Sequence, residues 1–246
     1  MIAKSDLTSI ISKYYLGGLN ESVKWTIQDN HLTINFASPT REMIGKVEYD
    51  DIELENSTIA ISDTTKLNKL ISILGRDVKL DYQKHKNIPT KLVISDNQFN
   101  VDYALADLMI VPKAGEITGE IQYGIQANLE PETIQALIKA KSALPESDTV
   151  AVKSCMGIAE DDQIQFEFGG NIEYGNKTSY FIPHATFENS SKTFRMYYNS
   201  DLLKNILGNN KDVDNGNIYI TTEGLMKLEF YKENLKSVYY LVAREK

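Results

Sequence analysis

The sequence predicts an α+β protein of two similar halves, each with two helices packed on antiparallel sheets. Three observations predict this. Fifteen segments alternating with period 2 are spread along the 246 residues. Four short amphipathic helical segments interrupt them. A stretch holding Pro112, Gly115 and Gly119 divides the chain into halves of like plan. The order strand, helix, several strands recurs about four times in units of roughly 55–65 residues, a long-period repeat.

The first helix is expected in DLTSIISKYY, where Leu7, Ile10, Ile11 and Tyr14 form one stripe and Gly17-Gly18 stops it. No clear strand precedes it. Strands follow at VKWTIQ, HLTINFA, EMIGKVEY and STIAIS, with Asp29-Asn30 as a turn. The second helix, TTKLNKLISIL, places Leu67, Leu70, Ile71 and Leu74 on one face. DVKLDYQ, TKLVIS and FNVDYALA come next, with Ser95-Asp96-Asn97 as a turn. These residues make a first domain, 1–110, followed by a linker, 111–120.

The second domain, 121–246, repeats the plan. EIQYGIQANL leads into the helix PETIQALIKAKSAL, with Ile134, Leu137 and Ile138 as its stripe. TVAVKS, QIQFEFG, TSYFIPH and TFRMYYN are strands, with a turn at Glu160-Asp161-Asp162 and another at Gly169-Gly170. The helix SDLLKNIL carries Leu203, Ile206 and Leu207. NIYITTE, LMKLEFYK and SVYYLVARE close the chain, with turns at Asn215-Gly216-Asn217 and Lys232-Glu233-Asn234.

Asp6, Asp63, Glu132 and Asp201 stand at or beside the helix starts, where a carboxylate caps free N–H groups and suits the dipole. Beyond the first turn no helix holds an acid. The chain has 34 acids and a net charge of -8, so about five acids would be expected in helix bodies of this length. The exposed faces hold Ser, Thr, Asn, Gln and Lys, with Lys13, Lys66, Lys69, Lys139 and Lys204 among them. Lys141 falls near an apolar stripe, so it breaks the pattern or marks a fraying end. The lysine number is ordinary; the missing acids are the stronger signal. A solvated face explains any single helix, whereas four in agreement suit a surface that meets a polyanion.

No stretch reaches the ~18 apolar residues of a membrane helix. The N-terminal residues lack a signal-peptide apolar region. The single cysteine, Cys155, permits no internal disulfide and fits a buried thiol in a cytosolic setting. No phosphate-binding glycine loop or nucleophile elbow occurs. His31, His85 and His184 have no partner at metal-ligand spacing in the sequence, and Asp50-Asp51 and Asp161-Asp162 read as solvated loops. The expectation is a non-enzyme with no catalytic residue, metal or cofactor.

The arrangement resembles the DNA sliding clamps, the processivity factors of replicative polymerases, over essentially the whole chain. The likeness rests on STIAISDTTKLNKLISILGRDVKLDY with FNVDYALAD after it, on Gly75-Arg76-Asp77 after the second helix, and on the closing LEFYKENLKSVYYLVARE. Its phrasing is most similar to the clamps of T-even-type tailed phages, with proliferating cell nuclear antigen a more distant relative. The resemblance implies two clamp domains per chain and a head-to-tail homotrimer closed as a ring. Double-stranded DNA would pass through the ring, with a DNA polymerase and an ATP-dependent clamp loader as partners. The location would be the cytoplasm of an infected host cell.

The resemblance places Lys13, Lys66, Lys69, Lys139 and Lys204 against DNA phosphates, with Lys4, Arg76, Lys141 and Lys211 as further candidates. It places a partner groove at Val111, Pro112 and Ile117 with Tyr240, Leu241, Val242 and Ala243; the latter four equally fit a core strand. It places subunit contacts at Phe99, Val101, Tyr103 and Leu105 in one copy and at Thr178, Tyr180 and Ile182 in the next. Internal pairing is the plainer reading of both strands. A structural or virion β-rich protein, whose helices merely close off sheets, is the alternative for the whole chain.

Overall fold

A computed structural model of the chain describes residues 1–115, 117, 119–155, 162–169, 175–188 and 194–245. The architecture is α+β, with four helices packed on antiparallel sheets among the described residues. The chain forms two compact units, Met1–Glu116 with Asn234–Ser237 and Ile117–Glu233 with Val238–Lys246.

Unit 1 runs β1 (Ile2–Ala3), α1 (Lys4–Tyr15), β2 (Val23–Gln28), β3 (His31–Ala37), β4 (Met43–Tyr49), β5 (Ser57–Ile61), α2 (Thr64–Ser72), β6 (Asp77–His85), β7 (Ile88–Ser95) and β8 (Asn100–Ala104). Its strands form two antiparallel arrays, β1-β6-β7-β8 and β4-β3-β2-β5. The period-2 pattern puts Val23, Trp25 and Ile27 of β2 and Leu32, Ile34 and Phe36 of β3 inside. Tyr14 of α1 meets Trp25 edge-on, ring centroids 6.5 Å apart. Each such fully buried side chain contributes about 1.5–3 kcal/mol.

Gly45 on β4 lies opposite Phe36. A Cβ there would come within 2.2 Å of the Phe36 ring, so only glycine lets the ring lie across the strand. The β2–β3 turn has positive φ at both Asp29 (52°) and Asn30 (63°), the primed geometry that matches strand twist.

Unit 2 runs β9 (Ile125–Asn128), α3 (Pro131–Ala143), β10 (Thr149–Cys155), β11 (Gln163–Phe168), β12 (Thr178–Ile182), β13 (Thr186–Phe187), β14 (Arg195–Asn199), α4 (Ser200–Asn209), β15 (Asn215–Ile220), β16 (Leu225–Lys232) and β17 (Leu235–Val242), whose residues up to Ser237 count with unit 1. Its arrays are β12-β11-β10-β14 and β13-β9-β15-β16-β17. Phe166, Phe168, Tyr198, Phe230 and Tyr239 fill its interior. Apart from the short β13, the element order repeats that of unit 1.

Four local expectations change. The strand missing before the first helix is β1, two residues long and paired with Asp77 and Val78 of β6, too short for alternation to reveal. Asn215-Gly216-Asn217 is no turn but the start of β15, where the Phe230 ring leaves no room for a Cβ on Gly216 (2.8 Å). Of the four acids at helix starts only Asp63 caps with its side chain, accepting the Lys66 N–H at 2.7 Å. Asn199 caps α4 instead, accepting the Leu202 N–H at 3.0 Å, while Asp6, Glu132 and Asp201 lie inside first turns. Lys13 is buried rather than on an exposed face, because it lies three residues after Ile10, on the flank of the stripe, and other groups of the fold engage it. Most of the expected turn at Glu160-Asp161-Asp162, together with Gly170 and Thr193, lies outside the described residues.

Candidate nucleic-acid interface

Within unit 1 the helices run antiparallel. Tyr15 Oη at the end of α1 lies 2.7 Å from Thr65 Oγ1 at the start of α2. At the other end Lys4 Nζ donates to the carbonyls of Ser72 (2.8 Å) and Leu74 (2.6 Å). Lys4 therefore neutralises the negative end of α2, and its ammonium is committed inside the unit. Leu67 and Ile71 of α2 face inward, while Lys66 and Lys69, one turn apart, are exposed on the same side. Arg76 is exposed just beyond.

In unit 2, Lys139 and Lys141 differ by two helical positions, about 200° around the axis. Lys139 is exposed. Lys141 is 2 % exposed; its Nζ donates to the Pro145 carbonyl at 2.9 Å and lies 3.0 Å from Asp201 Oδ1 in the first turn of α4. It caps its own helix and ties it to α4, so it breaks the apolar pattern in order to hold two helices together. Lys204 is half-buried and Lys211 exposed. The accessible cations of the predicted set are Lys66, Lys69, Arg76, Lys139 and Lys211, with Lys204 partly so. Lys4, Lys13 and Lys141 serve the fold.

Both strands expected at subunit contacts end a sheet: β8 pairs only with β7, and β12 only with β11, among the described residues. Alternation sends Val101 and Tyr103 of β8 and Ile182 of β12 into their own units. The side chains of these three are therefore packed within their own units. Phe99 (45 % exposed) is open at the β7–β8 turn, Leu105 is half-buried, and Thr178 and Tyr180 are partly open. Phe181 (44 % exposed), one position from the predicted residues, is the large apolar group that β12 shows to solvent.

Of the predicted groove residues, Val111 and Leu241 are buried, Pro112 and Val242 exposed, and Ile117, Tyr240 and Ala243 intermediate. Tyr239 and Leu241 form the inward face of β17, so the strand is both core and surface. Leu108, Met109 (93 % exposed) and Ile110 stand outside the set that the sequence points to. They form an apolar run beside a recess of about 170 Å³ lined by Ile59, Ala60, Ile88, Pro89 and Leu105. The signal for them is an apolar run in a loop without alternation.

His31 gains carboxylate neighbours that sequence spacing does not show: Nδ1 lies 2.6 Å from Asp50 Oδ1, and Nε2 3.8 Å from Glu48. Among the described residues no group of three or more His, Cys, Asp or Glu side chains is arranged to hold a metal ion. Cys155 is buried, and burial pushes its thiol up, away from the reactive thiolate. No helix among the described residues is long and apolar enough to cross a membrane.

No protein-family model matches the sequence, and no curated protein matches it. The fold does match known structures. The chain has the fold of the sliding clamps related to proliferating cell nuclear antigen. One match is A. fulgidus PCNA, in a structure with the C-terminal region of FEN-1 bound. It covers 100 % of this chain and 97 % of that one, with a TM-score of 0.78 and 16 % identity. A second is the proliferating cellular nuclear antigen of Entamoeba histolytica, covering 99 % and 96 % with a TM-score of 0.78 and 14 % identity.

Proposed function

We propose that the chain is a sliding clamp that encircles duplex DNA and tethers a replicative polymerase to it. The observation that carries this reading is the end-to-end match to clamp structures at a TM-score of 0.78, with almost nothing of either chain left over. The division of the chain into an N-terminal clamp domain, 1–110, a linker, 111–120, and a C-terminal clamp domain, 121–246, belongs to the same reading.

Lys66, Lys69 and Lys139, with Lys204, Arg76 and Lys211, supply the phosphate contacts. Exposed ammonium groups on flexible stems neutralise phosphates without reading base edges, so binding is independent of sequence and weakens with salt. Mobile, hydrated lysines also suit movement along the duplex better than bidentate arginines would. The absence of acids from the helix bodies removes repulsion along the helices, and the net negative charge of the chain lies outside them.

The edges β8 and β12 pair between copies, extending each sheet into the next and closing a homotrimeric ring. Phe99 and Phe181 would be covered there. Of the groove residues that the resemblance implies, Pro112, Tyr240 and Val242 would receive apolar anchors of polymerase and loader peptides. That the FEN-1 C-terminal region binds A. fulgidus PCNA supports peptide capture as a use of this fold. The specific form proposed is a clamp of the T-even phage type, acting in an infected cell with an ATP-dependent loader.

Polymerase processivity on primed circular DNA with the cognate loader tests the reading. Longer products per binding event are expected. Unchanged product length with the correct partners would refute it.

A further inference from the structure

Two side chains tie the edge strand β8 to both ends of α2. Asp96 lies in the turn between β7 and β8. Its Oδ1 accepts the N–H groups of Gln98 and Phe99, each at 2.6 Å, which shapes the turn. Its Oδ2 accepts the N–H of Gly75 at 2.5 Å, just beyond the end of α2. Gly75 fits tightly, for a Cβ there would lie 3.2 Å from that same oxygen. These three N–H groups, Gly75 first, hold the Asp96 carboxyl below its usual range, with Lys4 adding to the effect.

The second tie is Tyr103, in β8 itself. Its hydroxyl accepts the Asp63 N–H at 3.0 Å and donates to the Asp63 carbonyl at 3.2 Å. Asp63 is the residue whose carboxylate caps α2. One hydroxyl thus uses both backbone groups of the helix cap. Strand and helix are joined at the helix start through Tyr103 and at its end through Asp96. Lys66 and Lys69 lie between the two ties.

The joint bears on association, a consequence that rests on the ring reading above. A bare edge strand that adopts several positions must be ordered before a second strand pairs with it, which weakens pairing. A strand held at both ends is ordered in advance. We propose that Asp96 and Tyr103 are positioning residues that fix β8 for pairing with a second copy of this chain and hold it in register with the lysines of α2. Neither side chain is offered to the partner: that of Tyr103 is buried in its own unit, and the Asp96 carboxylate is occupied by three local N–H groups.

The test compares Asp96→Ala, Asp96→Asn and Tyr103→Phe with the unaltered chain. Sedimentation equilibrium gives the association constant of folded chains, thermal unfolding gives stability, and amide exchange reports each strand. Asp96→Ala and Tyr103→Phe are each expected to weaken association about tenfold, the loss that goes with one good hydrogen bond. Asp96→Asn, which keeps a side-chain acceptor for the turn, is expected to fall between. Amides of β8 and residues 63–75 should exchange faster, with β2 and β3 unchanged. Tyr198→Phe is the control, because the Tyr198 hydroxyl has no hydrogen-bond partner among the described residues, and it should leave association as it was. Lower melting with an unchanged association constant would show a purely structural role and overturn the inference. An unaltered chain that stays monomeric at every concentration would overturn the ring reading, and this inference with it.

Discussion

Lys139 and Lys141 should respond to substitution in opposite ways, although they are neighbours on one helix. Lys141→Met keeps most of the buried stem and removes the ammonium. The bond to the Pro145 carbonyl at 2.9 Å, which disappears, is a charged hydrogen bond worth about 1.5–3 kcal/mol. The Asp201 pair at 3.0 Å adds less, because that carboxylate is 63 % exposed and regains water; about 0.5 kcal/mol is a fair share. Apolar packing of the Met tip offsets part of this. The expected net loss is about 2 kcal/mol in urea unfolding, with duplex binding by the folded protein unchanged. Lys139→Gln should do the reverse. Its stability should stay within about 0.5 kcal/mol of the original, while duplex binding weakens. The dependence of log affinity on log salt should also become shallower, by up to about 0.9 for each phosphate that is no longer neutralised. Fluorescence anisotropy of a labelled duplex across a salt series reads this slope. If Lys141→Met cut the salt slope and left stability alone, the roles of the two lysines would be the reverse of those given above.

Lys66→Glu with Lys69→Glu should abolish measurable duplex retention at moderate salt while circular dichroism and melting stay near the original; retained binding would remove α2 from the lining. Gly45→Ala should destabilise unit 1 by about 1–3 kcal/mol in urea unfolding, since a Cβ at 2.2 Å must displace the Phe36 ring; a neutral result would mean that the ring swings aside freely. Tyr14 and Tyr198 are pushed well above the ordinary tyrosine value of 10.0, mainly by burial, so the folded state holds their protons more tightly than the unfolded one. Their contribution to stability is complete below about pH 10 and is lost as pH rises toward the folded values. Urea midpoints should therefore fall steeply above about pH 10, together with the appearance of phenolate absorbance; a flat profile there would contradict burial of these hydroxyls.

Much of this fold is legible in the sequence, because alternation and helical stripes are direct records of which side chain is buried. β2, β3 and β16 match the alternating segments residue for residue. What escapes is set by neighbours distant in sequence. Gly216 looks like a turn residue until the Phe230 ring is placed over it. Lys141 looks like a break in the apolar stripe or a fraying helix end until the carbonyl at Pro145 and the carboxylate of Asp201 are brought to its ammonium. Tyr103 has the alternating position of a core residue, and only the tertiary fold shows its hydroxyl spanning the cap of α2. The charge pattern is legible in outline: the bodies of all four helices hold no acid beyond the first turn. Which lysines remain accessible depends on packing that spacing alone does not record, and so Lys4, Lys13 and Lys141 are used inside the fold.

A clamp would hold DNA by surrounding it, a topological link rather than a chemical one. The most direct measurement loads it with the cognate loader onto a nicked circular duplex, purifies the complex by gel filtration at high salt, and then linearises the DNA. Retention on the circle is expected, where salt-sensitive contacts alone would not survive, with prompt loss once an end is made. Equal retention on circular and linear DNA, or none on either, would contradict the clamp reading.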